Sequence, residues 1–238
     1  MASNACYGSA ENPYSVYDAI ALAGGLPEFR METYASGIAK SASHLNDWHT
    51  GRVIYWFETG GVQSEGHMTR GLKTGPWKYY HPNGKIERQG VYVDGFCDGE
   101  WRHYYDNDAV NIIINFSAAT KSRTGHCVQY YPNGRKRCEG DFMEDAHIGE
   151  WIFYHDNGIM KVRGSYALKP GSTIYTVKTG TWYAWYDNGA PKYEENLVNG
   201  KQLQDCKYWL PDGTPWMRLN APDNSSSSDE YKFSFNIE

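Results

Sequence analysis

The sequence contains no long apolar run and no basic residue before Arg30. A transmembrane helix needs about 20 mostly apolar residues, and secretory or mitochondrial leaders need basic residues near their start. We therefore expect no signal peptide, no transmembrane segment and an intracellular protein, placed in the cytoplasm. The cysteines are few, odd in number and without a CxxC pair, which favours reduced thiols: Cys6, Cys97, Cys127, Cys138 and Cys206.

The sequence also lacks a basic excess and the common catalytic motifs. Its formal net charge is −5, whereas a general nucleic-acid-binding protein needs a basic surface to displace phosphate counterions. There is no HExxH, no GxSxG and no phosphate-binding glycine-rich loop. His81 and His155 occupy equivalent positions but show no metal-ligand spacing. We therefore predict a protein that is not an enzyme, with no catalytic residues, no cofactor, no metal and no nucleic-acid partner.

Aromatic residues are abundant, at 16% of the chain with 20 Tyr and 9 Trp, and they recur at a fixed spacing. The segment GPWKYYHPNG at 75–84 returns as GEWRHYYDND, GHCVQYYPNG, GEWIFYHDNG and GTWYAWYDNG. The equivalent turn positions are 60, 84, 108, 134, 158, 189 and 213, so most steps are 24 residues. A single step of 31 residues predicts an insertion within 167–179. Such a period indicates a stack of repeated supersecondary units.

Each unit is predicted to be a β-hairpin. Asn-Gly between aromatic and β-branched residues is typical of a two-residue type I′ turn, in which both central residues need positive φ. A turn at Asn83-Gly84 places Trp77 opposite Gly90 and Tyr80 opposite Glu87. The same rule places large side chains opposite glycine in three other units (Trp151–Gly164, Cys127–Gly140, Val53–Gly66), but places Trp101 opposite Ile114 and Trp182 opposite Glu195.

Strand alternation then separates two faces of the predicted sheet. The face that carries the first aromatic residue of each unit is expected to be buried, with each ring lying across its facing glycine. Its structural core is predicted to comprise Trp77, Trp101, Trp151, Trp182, Gly90 and Gly164. The opposite face is expected to be wet and to pair a ring with a polar or charged side chain: Tyr80–Glu87, Tyr130–Arg137, Tyr154–Lys161 and Trp185–Lys192.

The pattern G-x-W-x-x-Y-x-x-N-G, followed by a charged strand and a second glycine, resembles the MORN repeat family. It is most similar to the longer repeat variant of bacterial antitoxin-like proteins, over about residues 52–219. The resemblance implies a mainly β fold, an elongated single-layer antiparallel β-meander of about seven stacked hairpins. MORN repeats occur in scaffold, membrane-contact and flagellar proteins and beside enzymatic domains, so the resemblance implies fold more than function.

The two ends of the chain lack the repeat. Residues 1–50 are predicted to form a helical cap or arm, with one helix over 12–25 and a second over 27–40. Residues 51–220 form the repeat domain, and 221–230 form a polar flexible linker. The tail 231–238 alternates as a half-buried strand, with Tyr231, Phe233, Phe235 and Ile237 on one side. It either caps its own last repeat or pairs with the sheet of a partner.

These features predict a non-catalytic protein–protein interaction module, acting as a scaffold or structural subunit of a larger assembly. One alternative is an antitoxin-like inhibitor that occludes a partner protein, and the acidic net charge suits a basic partner. Another is a membrane-associated scaffold, although the sequence has no polybasic cluster. Aromatic side chains dominate binding hot spots, so the predicted partner-binding residues are Tyr80, Tyr104, Tyr130, Tyr154, Trp185, Trp209, Tyr231, Phe233, Phe235 and Ile237.

Overall fold

The computed structural model describes residues 29–47, 50–204 and 206–216, which form one open antiparallel sheet without a helix. The strands follow one another in chain order from β1 to β15, and β16 joins β14. The predicted single-layer meander is therefore confirmed over these ranges. The strands are β1 (Phe29–Thr33), β2 (Ala39–Asp47), β3 (Thr50–Trp56), β4 (Val62–Thr69), β5 (Leu72–Tyr80), β6 (Ile86–Val93), β7 (Phe96–Tyr104), β8 (Val110–Ser117), β9 (Ser122–Tyr130), β10 (Lys136–Met143), β11 (Ala146–Tyr154), β12 (Met160–Leu168), β13 (Thr176–Trp185), β14 (Pro191–Val198), β15 (Lys201–Gln202) and β16 (Lys207–Tyr208).

The Asn-Gly turns are not of type I′. In the turn after β5, Gly84 has φ 83° but Asn83 is not among the residues with positive φ. The Gly84 amide donates to the His81 carbonyl at 2.9 Å, and the His81 amide donates to the Lys85 carbonyl at 2.8 Å. These contacts define a type I turn closed by one left-handed glycine, which also suits Pro82 at the first central position.

The register around each tryptophan is confirmed. Trp77 pairs with Gly90, and the predicted pairs of Val53, Cys127 and Trp151 with glycine are also present, as are Trp101–Ile114 and Trp182–Glu195. The prediction that Tyr80 faces Glu87 is wrong, because Tyr79 pairs with Arg88 while Tyr80 pairs with Ile86. Glu87 is the additional residue of a β-bulge.

The same bulge recurs in every repeat from β3–β4 to β13–β14. It overturns the other predicted ring–charge pairs: Tyr130 faces Lys136, Tyr154 faces Met160 and Trp185 faces Pro191. In a bulge, two consecutive residues of one strand lie on the same face of the sheet. Here the bulge residue shares the face of the residue that follows it, which is the face that carries the tryptophan side chains. The bulge residues are Gln63, Glu87, Asn111, Arg137, Lys161 and Lys192.

The N-terminal part of the sheet contradicts the predicted second helix. Residues 29–33 and 39–47 are strands β1 and β2, joined by a turn in which Gly37 has φ 82°. The Tyr34 amide donates to the Ile38 carbonyl at 2.8 Å, as in the other turns. Ser36-Gly37 is therefore the turn of a further hairpin. The predicted helix over 12–25 lies outside the described residues, as does the tail 231–238.

Each tryptophan ring packs on the hairpin that precedes its own, which corrects the expected contact with the facing glycine. A Cβ atom added to Gly90 would lie 2.3 Å from two ring carbons of Trp101, and one added to Gly66 would meet the Trp77 ring in the same way. The Trp151 and Trp182 rings cover Gly140 and Gly164 equivalently. The four rings are only 1–2% exposed. Bare backbone is thus required beneath each ring.

A hydrogen bond fixes each ring over its glycine. The Trp101 indole Nε1 donates to the Val91 carbonyl at 3.1 Å, and the Trp77 indole Nε1 donates to the His67 carbonyl at 2.9 Å. The acceptor is the carbonyl of the residue after the covered glycine, as it is for Trp151 and Trp182. Successive hairpins are therefore joined by a ring contact and an indole hydrogen bond as well as by the backbone ladder.

One repeat exchanges both partners of this contact. Cys127 occupies the tryptophan position of β9, and Ile114 occupies the preceding glycine position in β8. Both side chains are buried, Ile114 at 0% and Cys127 at 1% exposure. The small Cys127 side chain takes the place of the ring, and the larger Ile114 side chain takes the place of the glycine. The Ile114 side chain therefore fills the space that a tryptophan ring fills in the other repeats.

Candidate interaction surfaces

Equivalent side chains of successive hairpins lie on the same face of the sheet, and the equivalent turns line one edge. We call the side with Trp77, Trp101, Trp151 and Trp182 the Trp face, and the side with Tyr80, Tyr104, Tyr130 and Tyr154 the Tyr face. The turn edge is the row of turns centred on Gly84, Asp108, Gly134, Gly158 and Gly189.

The Tyr face holds the predicted partner-binding aromatics of the sheet. All six, including Trp185 and Trp209, are half-buried. The Tyr80 hydroxyl donates to Glu65 Oε1 at 2.6 Å, and the Tyr154 hydroxyl donates to Glu139 Oε1 at 2.7 Å. Tyr104 instead accepts a hydrogen bond from the side chain of Gln89 at 3.2 Å. Three of these rings are therefore oriented by a residue of the preceding hairpin.

Charges on the Tyr face are arranged in opposite-sign pairs. Arg52 contacts Glu65 at 3.0 Å, Lys136 contacts Glu139 at 2.7 Å, and Lys207 contacts Glu194 at 3.0 Å. Burial raises the pKa of Glu139, but hydrogen bonds from Lys136 and Tyr154 outweigh it and leave the pKa below its ordinary value. This face therefore carries alternating charge without an excess of either sign.

The turn edge is held by a ladder from each hairpin to the next. Tyr105 donates through its hydroxyl to the Tyr130 carbonyl at 2.7 Å, and Tyr131 donates to the Tyr154 carbonyl at 2.9 Å. His81 and His155 fill the same position, with Nε2 at 3.1 and 3.0 Å from the next backbone carbonyl. Since a carbonyl can only accept, each imidazole is the donor. This hydrogen bond gives both histidines a structural role, since it connects one turn to the next.

A depression of about 360 Å³ opens on the Trp face between the β3–β4 and β5–β6 hairpins. It is lined by Tyr55, Phe57, Gln63, Ser64, Lys73, Tyr79, Glu87 and Arg88. The Lys73 ammonium donates to the Tyr79 hydroxyl at 2.7 Å and lies 4.8 Å from the Trp77 ring centroid. Arg88 stacks on Tyr79 at 4.3 Å. The depression therefore combines aromatic surface with two cations.

Buried polar groups of the Trp face are held neutral. Burial, and then the charge of Arg88, lowers the pKa of His103 to about 4, while burial and Arg123 do the same for His147. Burial raises the pKa of both Cys127 and Cys138 to about 12, so both remain thiols. These groups are unsuited to nucleophilic or proton-transfer chemistry near neutral pH.

Within the described ranges, no group of three or more His, Cys, Asp or Glu side chains could hold a metal ion. No helix in the same part of the chain is long and apolar enough to cross a membrane.

The repeat architecture corresponds to a known family. Residues 73–94, 148–167 and 178–199 match the MORN repeat variant. Each of these segments covers one hairpin of the sheet, so the chain carries MORN repeats of this variant. MORN repeats are in general modules for protein or membrane interaction. A search of curated proteins gave no match to the chain.

Sequence reasoning missed the basic side chains of the Trp face. Arg137, Lys161 and Lys192 each follow the tryptophan position of their hairpin by ten residues, and this fixed offset is visible in the sequence. They were assigned to the Tyr face because the bulge was not anticipated. Lys73 and Lys178 likewise precede a tryptophan by four residues.

Proposed function

We propose that the protein is a non-catalytic protein–protein interaction module that serves as a scaffold or structural subunit of a larger assembly. The observation that carries this proposal is the architecture itself, a single open sheet of 16 strands. Among the described residues no second layer packs on either face, so this part of the chain presents extended surface on both sides of the sheet. Enclosed, mostly apolar pockets are the usual setting of small-molecule chemistry.

Rigidity supports the same function. The indole contacts and the turn ladder connect each hairpin to the next, in addition to the backbone hydrogen bonds. A preorganised surface loses little conformational entropy when it binds, so more of the contact energy remains as affinity. The regular spacing of side chains along such a ribbon suits a partner that contacts several repeats at once.

The test is in-cell cross-linking of the full chain, followed by reconstitution with the purified captured protein. We expect a stoichiometric complex that survives size-exclusion chromatography. The control is Trp101→Ala, which removes one ring contact between hairpins and so destabilises the sheet. If the folded sheet is what binds the partner, the amount of complex should fall in proportion to the fraction of folded protein. A chain that is monomeric in cells and captures no stoichiometric partner would contradict the proposal.

The two alternative roles give different outcomes in the same experiment. An inhibitor that occludes a toxic partner would restore growth when the two proteins are co-expressed. A membrane-associated scaffold would float with anionic vesicles in the absence of any protein partner. The exposed aspartates of the turn edge, among them Asp106, Asp156 and Asp187, oppose close contact with an anionic bilayer.

A further inference from the structure

The Trp face carries more cations than carboxylates. From β4 to β14 its strand positions hold seven basic residues but only Glu87 and Glu195 as acids, and Glu195 accepts a hydrogen bond from Tyr208 at 2.9 Å. This excess is local, because residues 29–216 contain 21 Lys and Arg and 21 Asp and Glu in total. The seven are Lys73, Arg88, Arg123, Arg137, Lys161, Lys178 and Lys192.

Three of these cations form a row created by the bulges. Arg137, Lys161 and Lys192 are the bulge residues of three successive hairpins. The Arg137 guanidinium lies 5.8 Å from the Tyr131 ring centroid, and the Lys192 ammonium lies 5.7 Å from that of Tyr186. Arg137 and Lys192 are exposed and Lys161 is half-buried. The row is therefore accessible and lies beside the aromatic ladder of the turn edge.

A second row follows the other side of the Trp face. The Lys178 ammonium lies 4.5 Å from the Trp182 ring centroid, and the Arg123 guanidinium lies 4.5 Å from that of Phe142. Arg123 also contacts Asp145 at 2.6 Å, so part of its charge is neutralised locally. Lys73 occupies the equivalent position over Trp77. A cation over the face of an aromatic ring is attracted by the ring electrostatically. The charged groups of this row are therefore held close to the aromatic surface of the Trp face.

The surroundings of these rows limit the shape of a ligand. The turn edge beside the bulge row presents five exposed aspartates against two exposed cations, Lys85 and Arg135, and Lys85 pairs with Asp108 at 2.8 Å. The aspartates are Asp106, Asp108, Asp156, Asp187 and Asp212. The Tyr face behind the sheet carries balanced ion pairs. A bilayer or a nucleic-acid duplex, both wider than the face, would meet these acids, whereas a single peptide strand could follow the basic rows without reaching the edge.

We infer that the Trp face binds an acidic peptide segment of a protein partner, with carboxylates spaced about 10 Å apart along the ribbon axis. Equivalent side chains of successive hairpins are separated by two strand spacings, or about 9.6 Å. Arg137, Lys161 and Lys192 are therefore placed to contact three successive carboxylates. This inference rests on the proposed function and specifies the chemistry of the partner.

The test uses fluorescence anisotropy with the full-length protein and a fluorescein-labelled (Glu-Pro-Pro)5 peptide. A polyproline II chain rises about 3.1 Å per residue, so its glutamates recur about every 9.3 Å on one side. We expect saturable binding that weakens at least tenfold when NaCl is raised from about 50 to about 500 mM. A peptide of equal composition with its five glutamates adjacent should bind several-fold more weakly.

The variant Arg137→Gln/Lys161→Gln/Lys192→Gln should weaken binding about tenfold, since each exposed ion pair contributes a factor of a few. A matched control, Lys78→Gln/Arg102→Gln/Arg163→Gln, removes the same charge from the Tyr face and should leave binding within twofold of wild type. Equal effects of the two triple variants, or no binding of the peptide, would overturn the inference. Binding that tightens more than tenfold when the acidic residues Asp223, Asp229, Glu230 and Glu238 are neutralised would also overturn it, because the chain's own tail would then be the occupant.

Stronger binding to a DNA duplex or to anionic vesicles than to the peptide would likewise contradict an acidic protein partner. Failure of this inference can be distinguished from failure of the proposed function. If the cross-linked partner still forms its complex with the Trp-face triple variant, the interaction module stands and only the assignment of its binding face fails.

Discussion

The substitution Gly90→Ala tests the interlocking of hairpins with a single methyl group. In an ordinary strand, replacing glycine by alanine stabilises a protein by roughly 0.4–1 kcal/mol, because it restricts the unfolded chain. At Gly90 the added Cβ would lie 2.3 Å from Trp101 ring carbons. Normal carbon–carbon contact is about 3.5–4.0 Å, so the ring must move by about 1 Å or more. The structure therefore predicts the opposite sign.

The magnitude follows from the contacts that the ring would lose. Overpacking a filled site costs about 1–3 kcal/mol. Displacement of the ring also weakens the indole hydrogen bond to Val91, which is 3.1 Å long, and such a bond contributes about 1 kcal/mol. The Tyr92 ring, centred 4.9 Å away at 79°, blocks movement on one side. We expect Gly90→Ala to lower the free energy of unfolding by about 2–4 kcal/mol.

Urea denaturation followed by far-ultraviolet circular dichroism measures this change, and Trp101→Leu provides the control background. With the indole removed, Gly90→Ala should be neutral or slightly stabilising relative to Trp101→Leu alone. A cost below about 1 kcal/mol in the wild-type background, or the same cost in both backgrounds, would refute the ring-over-glycine contact.

Three further predictions follow from other contacts. Cys127→Trp alone should destabilise the protein through a clash with Ile114, whereas Ile114→Gly/Cys127→Trp should recover at least about 2 kcal/mol in a double-mutant cycle measured by urea denaturation. His103 has a pKa near 4 when folded and 6.5 as its ordinary value, so the unfolded chain binds the proton more readily and stability falls as the pH drops below 6.5. Between pH 7 and pH 5 this contribution should cost about 2 kcal/mol, and His103→Asn should remove it from the pH profile of unfolding; an unchanged profile would contradict the neutral assignment. Asn133 donates to the Asp156 carbonyl at 2.9 Å and accepts from the Arg135 amide at 3.0 Å, so Asn133→Ala should cost about 1–2 kcal/mol, and a lowered melting temperature without loss of the β-sheet spectrum is the expected readout.

The spacing of Asn-Gly turns predicts the hairpins, and with them the pairing of Trp77 with Gly90. The turn type could not be read from the dipeptide alone, because Asn83 tolerates both signs of φ. Pro82 favours type I, and the turns with Asp156 and Asp187 at the same position have the same hydrogen bonds. The hairpin of β1 and β2 was missed for a related reason. Its Ser36-Gly37 turn joins FRMET to AKSASHLND, and their Glu, Lys and Ala residues are weak strand formers that favoured the helical interpretation.

The bulge at Glu87 had the largest consequence for the candidate site. One additional residue per hairpin moves Arg137, Lys161 and Lys192 from the Tyr face to the Trp face, and no single residue type marks a bulge in sequence. The location of the tryptophan rings was equally hidden. Register predicts which residues face each other across a ladder, but side-chain rotamers decide that the Trp101 ring covers Gly90 in place of its own facing residue, Ile114.

The most direct test of the interlocked ribbon is a nuclear Overhauser experiment on protein with isotope-labelled Trp and Gly. The structure places the Trp101 ring against the Gly90 backbone. We predict strong cross-peaks between the Gly90 α-protons and the indole of Trp101, which disappear in Trp101→Leu. Strong cross-peaks from Gly90 to Trp77, its partner in the ladder, without any to Trp101 would show that each ring lies within its own hairpin and would contradict the account.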